Sequence, residues 1–220
     1  MTFSILARDP KSDAIGGAAA TGSLCVGGWV LRGDPRAGMS ASQGAAPSTF
    51  WGDDVLAALQ GGESAADAIG AVTGADAGRD QRQVSALGLR GPGAAFTGKE
   101  NTPAAGSILM ENGVVAGNML TNVGVLNEMA ARFETASGTF SQRLIASLFA
   151  AQDAGGDMRG LQSAALLIVS PEHAPITLRV DYHETPLAAL VALYDRALSG
   201  DYADWSRRVP CLSDPQRTLD

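Results

Sequence analysis

Met1-Thr2-Phe3-Ser4-Ile5-Leu6-Ala7-Arg8-Asp9-Pro10 is the stretch on which the fold turns. Phe3, Ile5 and Ala7 alternate with Thr2, Ser4 and Leu6, the two-residue period of a strand with one face more polar than the other. Asp9-Pro10-Lys11-Ser12-Asp13 is turn chemistry, in which proline presets φ and the Asp and Ser side chains bond the local backbone. Ala14-Ile15-Gly16-Gly17-Ala18-Ala19-Ala20-Thr21 then reads as the returning strand of a hairpin. Its very small side chains predict close approach by another layer or a ligand.

Outward from this hairpin, Gly27 to Pro35 reads as loop and Arg36 to Gln43 as a third short strand. After Pro47, Ser48 or Thr49 is placed to cap a helix carrying Val55, Leu56 and Leu59, which stops at Gly61-Gly62. Ser64 caps a second helix, with Ala65, Ala68, Ile69 and Val72 on one face. Strands follow at Gln83 to Leu89, Ala94 to Thr97, Ala104 to Glu111 and Gly113 to Gly117, the last two joined by an Asn-Gly turn. The spacing predicts helices over 123–134 and 140–153, strands over 164–169 and 175–181, and a last helix from Pro186. Strand blocks this long do not fit βαβ alternation, and paired helices between them can cover two stacked sheets. A four-layer αββα sandwich of mainly antiparallel sheets accommodates this α+β order, with a two-layer α+β fold as the competitor.

The 220 residues suit one domain, with about 200–220 as a short C-terminal tail. Apolar residues make up 45% and charged residues 18%, the balance of a soluble globular protein. The longest apolar runs, such as Ala164 to Val169, are too short to span a bilayer, and no signal peptide is read at the start. The expectation is a cytoplasmic protein with no membrane partner. A net charge of −7, with Lys11 and Lys99 the only lysines, argues against a nucleic-acid partner. Cys25 and Cys211 are too few for a disulfide framework or a zinc site, and Cys25 between Leu24 and Val26 reads as an inert buried thiol. His173 and His183 have no second ligand at metal spacing, so no metal is expected. Arg8, Asp9, Arg79 and Arg82 read as an internal salt-bridge network.

Thr2 is the candidate nucleophile, set against the plainer reading that a chain begins Met-Thr for no chemical reason. Removal of Met1 leaves one residue with both a hydroxyl nucleophile and a free α-amine. An α-amine titrates near 7.7–8.0. At neutral pH it serves as general base for its own hydroxyl, directly or through a water, without a His or Asp partner.

Several motifs extend this reading along the chain. They are Thr2-Phe3-Ser4-Ile5 with Ala7-Arg8-Asp9-Pro10, Gln43, Arg79 with Arg82-Gln83-Val84, and Thr97-Gly98. Further on come Gly117-Asn118-Met119-Leu120, Gly156-Asp157, Arg159-Gly160 and Gln162-Ser163-Ala164-Ala165. With these the chain resembles the N-terminal-nucleophile (Ntn) hydrolases, and within them the DUF1028 family. That resemblance implies a four-layer sandwich and amide-bond hydrolysis by Thr2 with no cofactor. It also implies that Asn118 donates to an oxyanion, that Asp157 holds the protonated amine and that Ser163 hydrogen-bonds it. Gln43 and Gln162 are suited to orienting an amide or carboxylate substrate. Compared with proteasome β subunits, Arg36 takes the place of a lysine beside the nucleophile. It supplies positive charge but cannot shuttle a proton. Ala19-Ala20-Thr21 stands where an aspartate is usual. Layered folds of this kind pair often, so a homodimer is expected. The leading reading is hydrolysis of a small amide or short peptide. Its rival is a non-catalytic protein of the same fold that retains Met1 and binds a ligand or partner in the cleft.

Overall fold

β1 (Thr2–Arg8) is buried on both faces, and that double burial organises the molecule. A computed structural model describes residues 2–157 and 159–219. β1 pairs antiparallel with β2 (Ile15–Thr21), placing Thr2 opposite Thr21. On its other side it pairs with β8 (Gly113–Leu120), placing Thr2 opposite Asn118. The hairpin partner of β8 is β7 (Ala104–Met110), and beyond β2 lie β9 (Ser163–Val169) and β10 (Ile176–Val180). The first sheet therefore runs β10-β9-β2-β1-β8-β7 with β1 central.

A second antiparallel sheet is built from β3 (Leu31–Asp34), β4 (Gly38–Gly44), β5 (Arg82–Gly88) and β6 (Ala94–Thr97) in that order. Here the expected single strand opening at Arg36 is corrected. Two strands flank a turn at Pro35-Arg36, with α1, a helical turn at Val26–Trp29, before them. Proline favours the turn, and Asp34 Oδ1 accepts from the Arg36 N–H at 2.8 Å in a local Asx turn.

Three apolar layers define the sandwich. Phe3, Ile5 and Ala7 face outward from the first sheet onto α4 (Gly124–Thr135), α5 (Phe140–Asp153) and α6 (Pro186–Ala197). Leu6, Ala19 and Val114 face the other way and meet Met39 and Leu87 of the second sheet. Val84 and Ala86 on the outer face of that sheet pack against Trp51, Val55 and Ile69 of α2 (Trp51–Gln60) and α3 (Ala65–Gly74). The order is thus α, β, β, α, and the two-layer alternative is set aside. Each large aliphatic or aromatic side chain sequestered in these layers contributes about 1.5–3 kcal/mol. The small residues of β2 are what let the layers close. A Cβ on Gly17 would come within 2.7 Å of Leu6 Cδ2 and 2.8 Å of the Ile5 carbonyl.

Helix ends follow the sequence signals. Ser64 caps α3 through the Asp67 N–H, and Thr139 with Gln142 forms a capping box on α5. Ser48 Oγ accepts from the Phe50 and Trp51 N–H groups at the start of α2. The stretch expected as a tail includes α7 (Gly200–Ser206), which buries Ala203. No helix among the described residues is long and apolar enough to cross a membrane.

The expected four-residue salt-bridge network does not form. Arg8 donates instead to the carbonyls of Gly88 and Gly91, at 3.2 and 2.7 Å, tying the first hairpin to the second sheet. Arg82 pairs with Asp76 and lies over the Trp51 ring, while Asp80 pairs with Lys99.

Candidate active site

Strand register carries four polar residues into one row. Ser163 of β9 lies opposite Thr21 of β2, Thr21 opposite Thr2, and Thr2 opposite Asn118 of β8. Opposed residues of antiparallel strands share a face, and this face looks onto the second sheet. There Gln43 of β4 and Gln83 of β5 are register partners, both buried. The layer between the sheets is thus apolar around Leu6, Met39 and Leu87 but polar where β1 begins.

Gln83 organises the polar end. Its Nε2 lies 2.8 Å from Thr97 Oγ1, 2.9 Å from the Gly117 carbonyl and 3.0 Å from the Gly106 carbonyl. Carbonyl oxygens only accept, so the nitrogen must face them and Oε1 must point the other way. That oxygen accepts from Gln43 Nε2 at 2.7 Å and from Asn118 Nδ2 at 3.2 Å. Both neighbouring amides are thereby oriented. Gln43 Nε2 also approaches the Thr2 carbonyl at 3.5 Å. The amide oxygens left over, Gln43 Oε1 and Asn118 Oδ1, are buried with no hydrogen-bond partner among the described residues.

Thr2 is 8% exposed, and its Oγ1 donates to Thr21 Oγ1 at 3.1 Å. It forms part of the wall of a cleft of about 330 Å³. Thr21, Ser23 and Gln43 supply the neutral polar lining, and Val26, Val30 and Met119 apolar surface. Leu24 and Trp29, 53% and 52% exposed, border it. Arg159 is the charged residue of the lining.

One wall of the cleft is the loop from Gly22 to Val26, held at nearly every residue. Asp157 Oδ2 accepts from the Gly22 N–H at 2.6 Å, and Gln162 Nε2 donates to the Gly22 carbonyl at 3.0 Å. Ser163 Oγ donates to the Ser23 carbonyl at 2.7 Å and accepts from the Val26 N–H at 3.1 Å. Cys25 adopts a left-handed φ of 62°, and its N–H donates to the Asp181 carbonyl. It is half-buried at a bend rather than sunk in the core. Only glycine suits position 22, since a Cβ there would run into the Asp157 carboxylate and lie 2.6 Å from the Gly160 carbonyl. Asp157 also binds Arg159 through Nη2 at 3.0 Å and Nε at 3.2 Å. That hydrogen bonding holds the guanidinium pKa above its ordinary value.

A family model described as a family of unknown function, DUF1028, matches residues 2–190. The chain belongs to the DUF1028 family. A crystal structure of a protein from Silicibacter pomeroyi, assigned to the same family, is 56% identical in sequence with a TM-score of 0.95. The similarity covers 100% of this chain and 99% of that one. Among curated proteins, none matches.

In this DUF1028 protein the expected site residues separate into three groups. Thr2 and Gln43 meet at the cleft, with Asn118 beside them but not on its surface. The polar side-chain atoms of Asp157, Gln162 and Ser163 hold the 22–26 loop. Arg36 is corrected outright. It sits in the exposed β3–β4 turn, paired with Asp34 at 2.7 Å. Gln43 lies at the other end of β4, about 17 Å along the strand from Gly38 at roughly 3.3 Å per residue. The fate of Met1 lies outside the described residues. Among the described residues no group of three or more His, Cys, Asp or Glu is placed to hold a metal.

Sequence reading missed Thr21 and Gln83 as members of the site. A signal existed for both. Counting back from the hairpin turn puts Thr21 opposite Thr2, and Gln83 leads the inward face of β5, on which Leu87 is the apolar end.

Proposed function

We propose that this protein is an amidohydrolase that cleaves a small amide or short peptide, with Thr2 as the nucleophile once Met1 has been removed. The observation that carries this reading is that the Thr2 hydroxyl is hydrogen-bonded among the described residues to Thr21, a group that cannot act as its base. Thr2 stands at the wall of the cleft beside Thr21, Ser23 and Gln43, none of which takes a proton at neutral pH. The charged neighbour, Arg159, does not deprotonate. The α-amine of Thr2 itself is the base that such a site requires.

In this mechanism Thr2 Oγ attacks the substrate carbonyl carbon while its proton passes to the α-amine. The tetrahedral intermediate collapses as the amine returns that proton to the leaving nitrogen, giving an ester on Thr2. Water, deprotonated by the same amine, then releases the acid. Asn118 directs its amide nitrogen at Gln83, so it serves from behind the nucleophile. Ser23, on the loop that Ser163 and Asp157 hold rigid, supplies a donor on the side where an oxyanion would form. The apolar lining and modest volume favour a small acyl group with little charge.

The decisive experiment is trapping with a panel of β-lactones and activated amides, followed by intact mass and peptide mapping. A single adduct on an N-terminal Thr2 is the expected result. Adducts elsewhere, or uniform retention of Met1 in protein from its native host, would overturn the proposal and leave a cleft that only binds.

A further inference from the structure

We infer that Gln43 Oε1 and Asn118 Oδ1, oriented by Gln83, form an acceptor site for the α-ammonium group of Thr2. This rests on the reading above in one respect, that Thr2 becomes the first residue. A buried amide oxygen without a donor costs about 1–3 kcal/mol. Two such oxygens occur here, on amides whose nitrogens both donate to Gln83 Oε1 and whose strands face and flank Thr2. Neither can relieve its state by flipping its amide, because Gln83 Oε1 requires the nitrogen of both. Gln83 in turn is fixed by two backbone carbonyls. The arrangement is thus preset to accept hydrogens at the place where Thr2 begins. A protonated α-amine offers three.

The surroundings favour this donor. Among the described residues, the elements packed on Thr2 present Thr21 from β2, Asn118 from β8, Gln43 from β4 and Gln83 from β5, none of them titratable. The charged pair near the cleft, Asp157 with Arg159, is bound to itself and to Gly22. Amide oxygens therefore do for the ammonium what a carboxylate would otherwise do, without adding charge. Hydrogen bonds to the protonated form raise its pKa, while the desolvation of a buried amine lowers it. The two oxygens offset that burial and keep the amine titrating within the physiological range. Gln83 acts here as a positioning residue.

The test follows the Thr2 Cα resonance of [13C]threonine-labelled protein through a pH titration, on material shown by mass to lack Met1. Replacing Asn118→Leu or Gln43→Met removes one acceptor at nearly constant volume. Each is expected to move the amine midpoint down by about one pH unit, and Gln83→Met to move it the same way. Thr97→Val, which touches only the nitrogen side of Gln83, leaves it in place. Should Asn118→Leu fail to fold, Gln43→Met reads the second oxygen alone. Midpoints that stay put or rise overturn the inference and assign the oxygens to buried water. The two claims fail separately. Adducts on Thr2 with unmoved midpoints keep the amidohydrolase and discard the ammonium site, whereas shifted midpoints without amide turnover do the reverse.

Discussion

The two ends of the layer between the sheets are made by the same strands and are built on opposite rules. At one end Leu6, Met39, Leu87 and Val114 interlock with no polar atom among their side chains. At the other, the same strands present Thr2, Gln43, Gln83 and Asn118, and four buried polar atoms there, with Ser4 and Ser85 Oγ included, have no partner among the described residues. Packing of the first kind is the source of stability. An incompletely satisfied polar cluster of the second kind costs stability, and such costs concentrate at functional sites. Sharing strands lets the apolar half hold the polar half in register.

The largest effect expected from breaking this comparison is at Thr2. Thr2→Ala removes the nucleophile, and amide turnover falls by at least about 10³-fold. It forfeits a single hydroxyl hydrogen bond to Thr21, so urea midpoints change little. Leu87→Ala inverts that pattern. Leu87 is wholly buried in the apolar half, and truncation is expected to destabilise by about 2–5 kcal/mol in urea unfolding. Turnover per folded molecule stays the same. A variant in the apolar half that lowers turnover without lowering stability would break the division between the two ends.

The next effect lies on the boundary. Ser163 belongs to the polar row by register, yet its hydroxyl spends its bonds on the Ser23 carbonyl and the Val26 N–H. Ser163→Ala leaves that buried N–H unpaired, at a cost of about 1–3 kcal/mol. The loosened loop should raise KM more than it lowers kcat, because the wall moves while the nucleophile does not. Steady-state kinetics against a trapped-substrate analogue, beside urea melts, distinguish this from a direct role, in which kcat alone would fall.

Periodicity was enough for the architecture, because alternation in β1 and helical spacing in the two helix pairs are local signals. Which strands pair is not local, yet the hairpin already placed Thr21 beside Thr2. The contents of the site were harder to read. Asp157 and Ser163 are expected at the amine and Gln162 at the substrate, and the chain gives no sign that the 22–26 loop intervenes to take their hydrogen bonds. Gln83 and Asn118 come together only when two sheets stack, a step that no sequence spacing encodes. Arg36 went astray for a simpler reason. Pro35 ends β3 and starts a turn, so the residue read as opening a strand is displaced from it entirely.

Arg36 therefore gives the smallest expected effect and the sharpest negative control. Its guanidinium pairs with Asp34 in an exposed turn at the far end of β4 from Gln43. Hydrogen bonding from Arg36 is the main reason the Asp34 carboxyl is held below its ordinary range. A depressed carboxylate pKa stabilises the fold above the unfolded value of about 3.9, and that contribution fades as pH falls through the native pKa. Arg36→Ala should thus leave turnover unchanged at pH 7 and shift Tm by no more than about two degrees. Any difference from the parent should fade as pH falls through the depressed Asp34 pKa and vanish once Asp34 is protonated in both. If instead Arg36→Ala moved the pH profile of turnover, the positive charge would be acting on Thr2 across the whole length of β4. Screening over about 17 Å, beyond a Debye length of ~8 Å at physiological ionic strength, gives no physical route for that in an exposed turn.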